Sequence, residues 1–307
     1  MNLTARVRRF AQRNKGRVLA SASRQVLARM WERPWVRRMG RPFFSVRTPE
    51  KWLFVTGCYN SGTTILRDLL GAHPAVATLP MEGDRLTGAY SDLEGGGWQR
   101  MWHLSAEADA ARSVADPEAR AQQAVGDWNP WWARGAQVFL EKSISHGNRM
   151  PVLAAGFPEA RFIFVIRNGF CVSEGILRRA RPVGAAARQL GRDHYLPAEA
   201  ARQWVASNEA YLRDRAALPH LLEFRYDDFA ANPMGAVRDV LDYLDLPDAP
   251  LQDLGGGRLA MGKREFHIRD ENAASIARLS PEQHAEIAEV IDPMMETLGL
   301  SDGTGTP

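Results

Sequence analysis

Cysteine is nearly absent: the 307 residues hold two, Cys58 and Cys171. Two thiols make no disulfide framework, and without a Cys-x-x-Cys pair they make no zinc site. The expectation is a reducing compartment and two small, buried, apolar side chains. No run of about 18 apolar residues occurs, so no segment is expected to span a bilayer, and the first residues lack the apolar stretch of a secretory signal. No cluster of metal-ligand residues at a recognisable spacing is present. At 45% hydrophobic and 24% charged residues, the composition is that of an ordinary globular protein, long enough for one large α/β domain or two small ones and for a core that needs no covalent staples.

Acidic residues are almost missing from residues 1–47. There, thirteen Lys or Arg face Glu32 alone, a net of +12 within a chain total of +3. The rest therefore carries −9, which argues against nucleic-acid binding by the body. Within the arm, Val26, Leu27, Met30 and Trp31 recur at helical spacing. A basic amphipathic helix of this kind can lie on an anionic membrane surface; its lack of acids is also that of an organelle transit peptide, and a solvated helix packed on the body is the plainer alternative.

From residue 51 onward the hydrophobic pattern alternates between short buried strands and longer helices. Strands are expected at 52–56, 76–79, 138–140, 162–166 and 221–224. Helices are expected from Thr63 to the His73-Pro74 pair and over 197–218 and 233–244. This order predicts a central parallel sheet covered on both faces. The glycine triplets at 95–97 and 255–257 read as flexible loops, and the tail 301–307 as disordered. The interval 84–135 reads as an insertion between the second and third strands. It holds Trp98, Trp102, Trp128, Trp131 and Trp132, which either stack on an acceptor or pack the insertion's own core.

The strongest signal is Gly57-Cys58-Tyr59-Asn60-Ser61-Gly62-Thr63-Thr64, set between the first strand and the first helix of the body. Backbone amides and a helix N-terminus converge there, a geometry that binds phosphate. Its spacing approaches a Walker A loop, but Thr63 stands where the lysine should be. It is not Gly-x-Gly-x-x-Gly either. A single terminal phosphate fits better than a triphosphate. At the end of the 162–166 strand, Arg167 reaches the ligand crevice of an open α/β sheet, and its planar fork suits phosphate oxygens.

Together, Gly57-x3-Ser61-Gly62-Thr63-Thr64-x-Leu66 and the following His73-Pro74 resemble the phosphosulfate loop of the PAPS-dependent sulfotransferases (PAPS, 3′-phosphoadenosine-5′-phosphosulfate). The resemblance extends over residues 51–300 and includes Arg225-Tyr226-Asp227-Asp228, taken as scaffold, and the cationic stretch 263–269, where the family has a loop over the nucleotide. It implies a three-layer α/β/α, P-loop-type domain over 48–300, with PAPS as donor, PAP as product and no metal. Gly57, Asn60, Ser61, Gly62, Thr63 and Thr64 would hold the 5′-phosphosulfate, and Arg167 the 3′-phosphate.

Two positions depart from the family. Asn60 replaces the usual Lys or Arg, and Gly175 replaces a serine eight residues after the arginine, with Ser173 as an imperfect substitute. Glu82 is the expected general base, with Asp84 the runner-up, and Lys142 the group that offsets developing charge. His103 and His146 are rival bases. The implied activity is sulfuryl transfer to a hydroxyl or amine, with a carbohydrate or lipid-linked glycan favoured, in the cytoplasm or peripheral to a membrane. A kinase of the same fold group and a non-catalytic PAP-binding or membrane-associated protein are the alternatives.

Overall fold

A computed structural model describes residues 21–133 and 135–300; the expected tail disorder and the first twenty residues of the arm lie outside these. Five strands, β1 (Lys51–Gly57), β2 (Val76–Thr78), β3 (Val138–Lys142), β4 (Arg161–Ile166) and β5 (Leu221–Arg225), form one parallel sheet in the order β2-β3-β1-β4-β5. Side chains alternate across a strand, and here the alternation divides two cores. Phe54, Phe139, Phe162, Phe164 and Ile166 enter one; Leu53, Val55, Val138, Leu140, Ile163 and Val165 enter the other.

Helices cover both faces. In chain order, they include α1 (Ser21–Trp31), α2 (Pro34–Gly40), α3 (Thr63–Leu70), α4 (Pro117–Trp128), α5 (Gly169–Arg179), α6 (Pro197–Asp214), α7 (Pro233–Tyr243) and α8 (Pro281–Thr297). Leu66, Leu69 and Leu70 of α3 meet Val237, Val240 and Leu241 of α7 in one core, while α5, α6 and α8 cover the other. The mixed α/β fold with a central parallel sheet is therefore as expected, and α6 stops four residues short of 218 because its end tightens into a 3₁₀ turn, Arg215–Ala217.

Register fixes where function can sit. Val55 is level with Lys142 across β1/β3, and Gly57 is level with Val165 across β1/β4. The C-terminal ends of three adjacent strands thus deliver the glycine loop, Lys142 and Arg167 to one edge, the ligand-binding edge of such sheets.

A second sheet was not expected: β6 (Leu251–Gly255), β7 (Arg258–Met261) and β8 (Arg264–His267) are antiparallel. Gly255, Gly256 and Gly257, expected as a flexible loop, make the β6–β7 turn with φ of 76°, 60° and 73°, a left-handed run that side chains resist. The 263–269 charge run is largely β8, with Phe266 buried beneath its charged neighbours.

The described part of the arm is packed on the body. Trp31 is buried and donates to Asp127 O at 2.8 Å. Arg41 Nε lies 2.5 Å from the fully buried Asp127 carboxylate and Arg37 Nε at 3.9 Å. All five tryptophans of the insertion are buried, so they build its core and present no open faces. Trp132 stacks on Phe139, and Trp131 meets Trp31 edge-on.

Candidate active site

The 57–62 loop needs its first glycine. Gly57 has φ 151°, and a Cβ there would stand 2.5 Å from Val165 O of the neighbouring strand. The chain then turns over Asn60, at φ 61°, a left-handed conformation asparagine tolerates better than most residues. Ser61 Oγ turns inward to Cys58 O at 2.6 Å and so braces the loop from below. Helix α3 starts at Thr63 with no side-chain cap on its first turn. The leading N–H groups of a helix have no partner within it, so these donors face the loop's mouth together with the partial positive charge of the helix end.

That mouth opens into a cleft of about 410 Å³, lined by Asn60, Thr63, Thr64, Glu82 and Lys142 and by the guanidinium-bearing Arg67, Arg85 and Arg100. Lys142, only 6% exposed, donates to the Glu82 carboxylate in a close ion pair. The expected base and the expected cation are thus already in contact, in the same cleft as Thr63 and Thr64.

Arg167 braces the loop from behind, outside the residues that line the cleft. Its Nη1 donates to Asn60 O at 2.7 Å and its Nε to Asn272 Oδ1 at 2.9 Å. Its guanidinium lies 3.9 Å from the centre of the Tyr226 ring, a stacked cation–π contact, and the Tyr226 hydroxyl donates to Arg269 O. The remaining Nη2 is buried with no hydrogen-bond partner. Leaving a buried guanidinium donor unpaired is costly; an incoming anion oxygen would satisfy it.

The sulfotransferase family model matches residues 53–250. The chain belongs to the sulfotransferase family. No curated protein matches. Among solved structures, the fold is similar to that of the sulfotransferase STF9 from Mycobacterium avium (TM-score 0.50, 14% identity, covering 98% of this chain and 97% of that one). A sulfotransferase domain from the curacin biosynthetic pathway aligns with TM-score 0.48 and 19% identity over 83% of this chain and 99% of its own, and a sulfotransferase from Alicyclobacillus acidocaldarius with 0.48 and 17% over 83% and 98%.

For this sulfotransferase, the two departures from the family pattern turn out to touch each other. A Cβ on Gly175 would stand 2.6 Å from Asn60 Cγ, so the missing serine side chain is the space that the Asn60 side chain fills. Two guanidinium groups converge on Asn60 Oδ1: Arg100 Nη1 at 2.5 Å and Arg179 Nη1 at 3.2 Å. Arg100 is itself held at φ 56°, so two residues in left-handed backbone meet through one hydrogen bond. Ser173 is fully buried. It lies two positions, about 200°, around α5 from Gly175, which turns it away from the loop.

Sequence reading missed Arg100, Arg179, Tyr226 as the plate beneath Arg167, and Asn272. The Tyr226 pattern was visible but was read as scaffold. Of the rival bases, His103 is tied to Gln203 Oε1 at 3.0 Å, and burial lowers its pKa. His146 is buried with its Nε2 3.2 Å from Glu141; burial, then Arg149, pushes its pKa well down. Neither lines the cleft. Asp84 lies behind Glu82, its carboxylate accepting from Ser145, and its pKa is pushed up to about 6, first by burial and then by Glu82.

Proposed function

We propose that this chain transfers a sulfuryl group from PAPS to a hydroxyl or amine of an acceptor, with PAP as second product. The observation that carries the reading is the joint between two phosphate-holding groups: the uncapped start of α3 and the buried, unpaired Nη2 of Arg167, linked through the 2.7 Å bond to Asn60 O. Gly57, Asn60, Ser61, Gly62, Thr63 and Thr64 form the cradle for the 5′-phosphosulfate, and Arg167 answers the 3′-phosphate. Among the described residues, no group of three or more His, Cys, Asp or Glu is placed to hold a metal ion.

In the transfer, Glu82 takes the proton of the acceptor X–H as the X–S bond forms. The S–O bond to the donor phosphate breaks, and its electron pair leaves on PAP. Charge builds on the sulfonate and on the bridging oxygen. Lys142 and Arg100 offset it in place of the loop cation that Asn60 lacks, an effect that depends on prepositioned groups. No helix of the described residues is long and apolar enough to cross a membrane. An arm lying on an anionic membrane surface is supported by Val26, Trp35, Met39, Phe43 and Val46, all exposed among the arginines of a segment with a single acid.

Calorimetry with PAP and AMP tests the donor reading. PAP is expected to bind about 100-fold tighter, and Arg167→Ala to erase the difference, since charge-assisted hydrogen bonds are worth roughly 1.5–3 kcal/mol each. Equal affinities in the unsubstituted protein would remove the 3′-phosphate site. Transfer of label from radiolabelled PAPS to a panel of acceptors tests the reaction itself.

A further inference from the structure

Beside the donor cleft lies a second cavity, of about 290 Å³. It shares Tyr59, Glu82, Arg85 and Glu94 with the first and adds Asp84 and Asp92. The two are opposite in charge. The donor cleft has Arg67, Arg85, Arg100 and Lys142 against two carboxylates; the second cavity has four carboxylates against Arg85. Arg85 is paired with Glu32 at 3.0 Å, and Glu82 has Lys142. That leaves Asp84, Asp92 and Glu94 without a cation of their own in the lining, although Glu94 is held by Tyr59 and the Arg100 backbone and Asp92 Oδ1 accepts from Glu94 N at 3.0 Å. Arg149 stands behind the first two but outside the cavity lining, with its Nη2 turned to Ser91 O at 2.8 Å.

Asp84 gives the cavity a direction. It is only 7% exposed. One carboxylate oxygen accepts from Ser145, while Oδ1 is buried with no partner. A buried carboxylate oxygen without a donor is costly, and three carboxylates around one small space repel one another. The raised proton affinities of Asp84 and Glu94 are due first to burial and in smaller part to neighbouring carboxylates, in keeping with a lining rich in negative charge. A neutral polyol would donate hydrogen bonds but leave that charge in place, and an anion would add to it. An ammonium group supplies both the donors and the charge.

Resting on the donor reading above, we infer that this cavity is the acceptor site and that it selects a cationic acceptor. A protonated amine sits against Asp84, Asp92 and Glu94, and the group to be sulfated lies at Glu82, on the wall common to both cavities. The shared wall explains why the base belongs to both linings: it must meet the acceptor on one side and face the sulfur on the other.

A matched pair of small rings tests this on the full chain saturated with PAP. Ligand-observed NMR titrations would compare 2-deoxystreptamine, a diamine, with myo-inositol, the same ring without amines. The diamine is expected to bind about tenfold tighter or better and to weaken with salt. Asp92→Asn, at an exposed position that lines only the second cavity, is expected to cut that preference by about threefold or more while PAP affinity stays unchanged. Inositol binding as well as the diamine, or an Asp92→Asn variant that keeps the full preference, overturns the inference. PAP binding is read separately: a chain that takes the diamine selectively but not PAP overturns the donor reading instead, and a chain that binds neither overturns both.

Discussion

Replacing Arg100 by alanine isolates the contribution the insertion makes to donor binding. Arg100 Nη1 is 2.5 Å from Asn60 Oδ1 and lines the donor cleft, so the change removes one charge-assisted hydrogen bond and one cation from the wall that would face the phosphosulfate. A hydrogen bond to a charged group contributes roughly 1.5–3 kcal/mol, which is a loss of about 10- to 150-fold in affinity. Arg179→Ala removes a longer, exposed contact of 3.2 Å and is expected to cost only about 0.2–1 kcal/mol, as exposed charges do. The assay is calorimetry of PAPS or PAP binding at two salt concentrations, followed by kcat and KM once an acceptor is known. Asn60→Lys in the Arg100→Ala background should restore part of the loss, because Gly175 leaves room beside the loop; strain at φ 61° keeps the rescue incomplete. If Arg100→Ala leaves donor affinity and turnover intact while Asn60→Lys improves both, the loop has simply lost its cation and nothing replaces it.

Other outcomes follow from the same geometry. Glu82→Gln is expected to lower kcat by about 10²–10⁴-fold, the usual worth of a general base, with PAP affinity kept; a near-normal kcat would assign the base elsewhere. Glu141 is fully buried and its carboxyl is pushed up to about 8 from an ordinary 4.5, first by burial. The folded protein therefore keeps a proton that the unfolded chain releases above pH 4.5. Stability from this group is complete below that pH and falls by about 1.4 kcal/mol per pH unit until about pH 8. Glu141→Gln should remove the slope, so the Tm difference, variant minus parent, rises from pH 5 to 8 and then levels; a constant difference would place the burden on another group. In flotation assays, vesicles containing phosphatidylserine should carry the full chain, and Trp35→Ser with Phe43→Ser should release it without changing PAP affinity; equal binding to neutral vesicles would discount the arm's charge.

What the sequence made legible was local. β1, the 57–62 loop and α3 occupy consecutive residues, and their glycines, apolar runs and helix start act over a few positions, so they could be read without coordinates. Arg167 was legible because its strand ends where a parallel sheet binds ligands. The rest of the site is assembled at long range. Arg100 and Asn60 are 40 residues apart, and Tyr226 reaches Arg167 across 59; no periodicity in the chain announces either contact. The five tryptophans posed a choice that the sequence left open. An aromatic cluster in an insertion can offer stacking faces or fill a core, and the buried indoles fill the core. The β6–β8 sheet went unseen because its strands are only four or five residues long and mostly exposed, apart from the buried stretch of β7.

Asn60 and Gly175 each look like a lost function when taken singly. In the fold they are one substitution made in two places, because the side chain added at the first fills the volume removed at the second. On the proposed reading, the cation that the loop lacks is supplied by Arg100, which contacts Asn60 Oδ1 from a segment outside the phosphate motif. That segment is pinned on both sides of the arginine: Trp98 bridges to Pro182, Gly97 O accepts from Val183 N at 3.1 Å, and Met101 is fully buried. Pinning of this kind is what holds a non-glycine residue at φ 56°, a conformation that costs on the order of 1 kcal/mol and persists only where its surroundings over-determine it. Gly97 and Gln99 of the same segment also line the carboxylate cavity. If the two proposals hold, the insertion carries the donor's cation and one wall of the acceptor site on a single stretch of backbone, so a displacement that admits a bulky acceptor must also move the charge facing the donor.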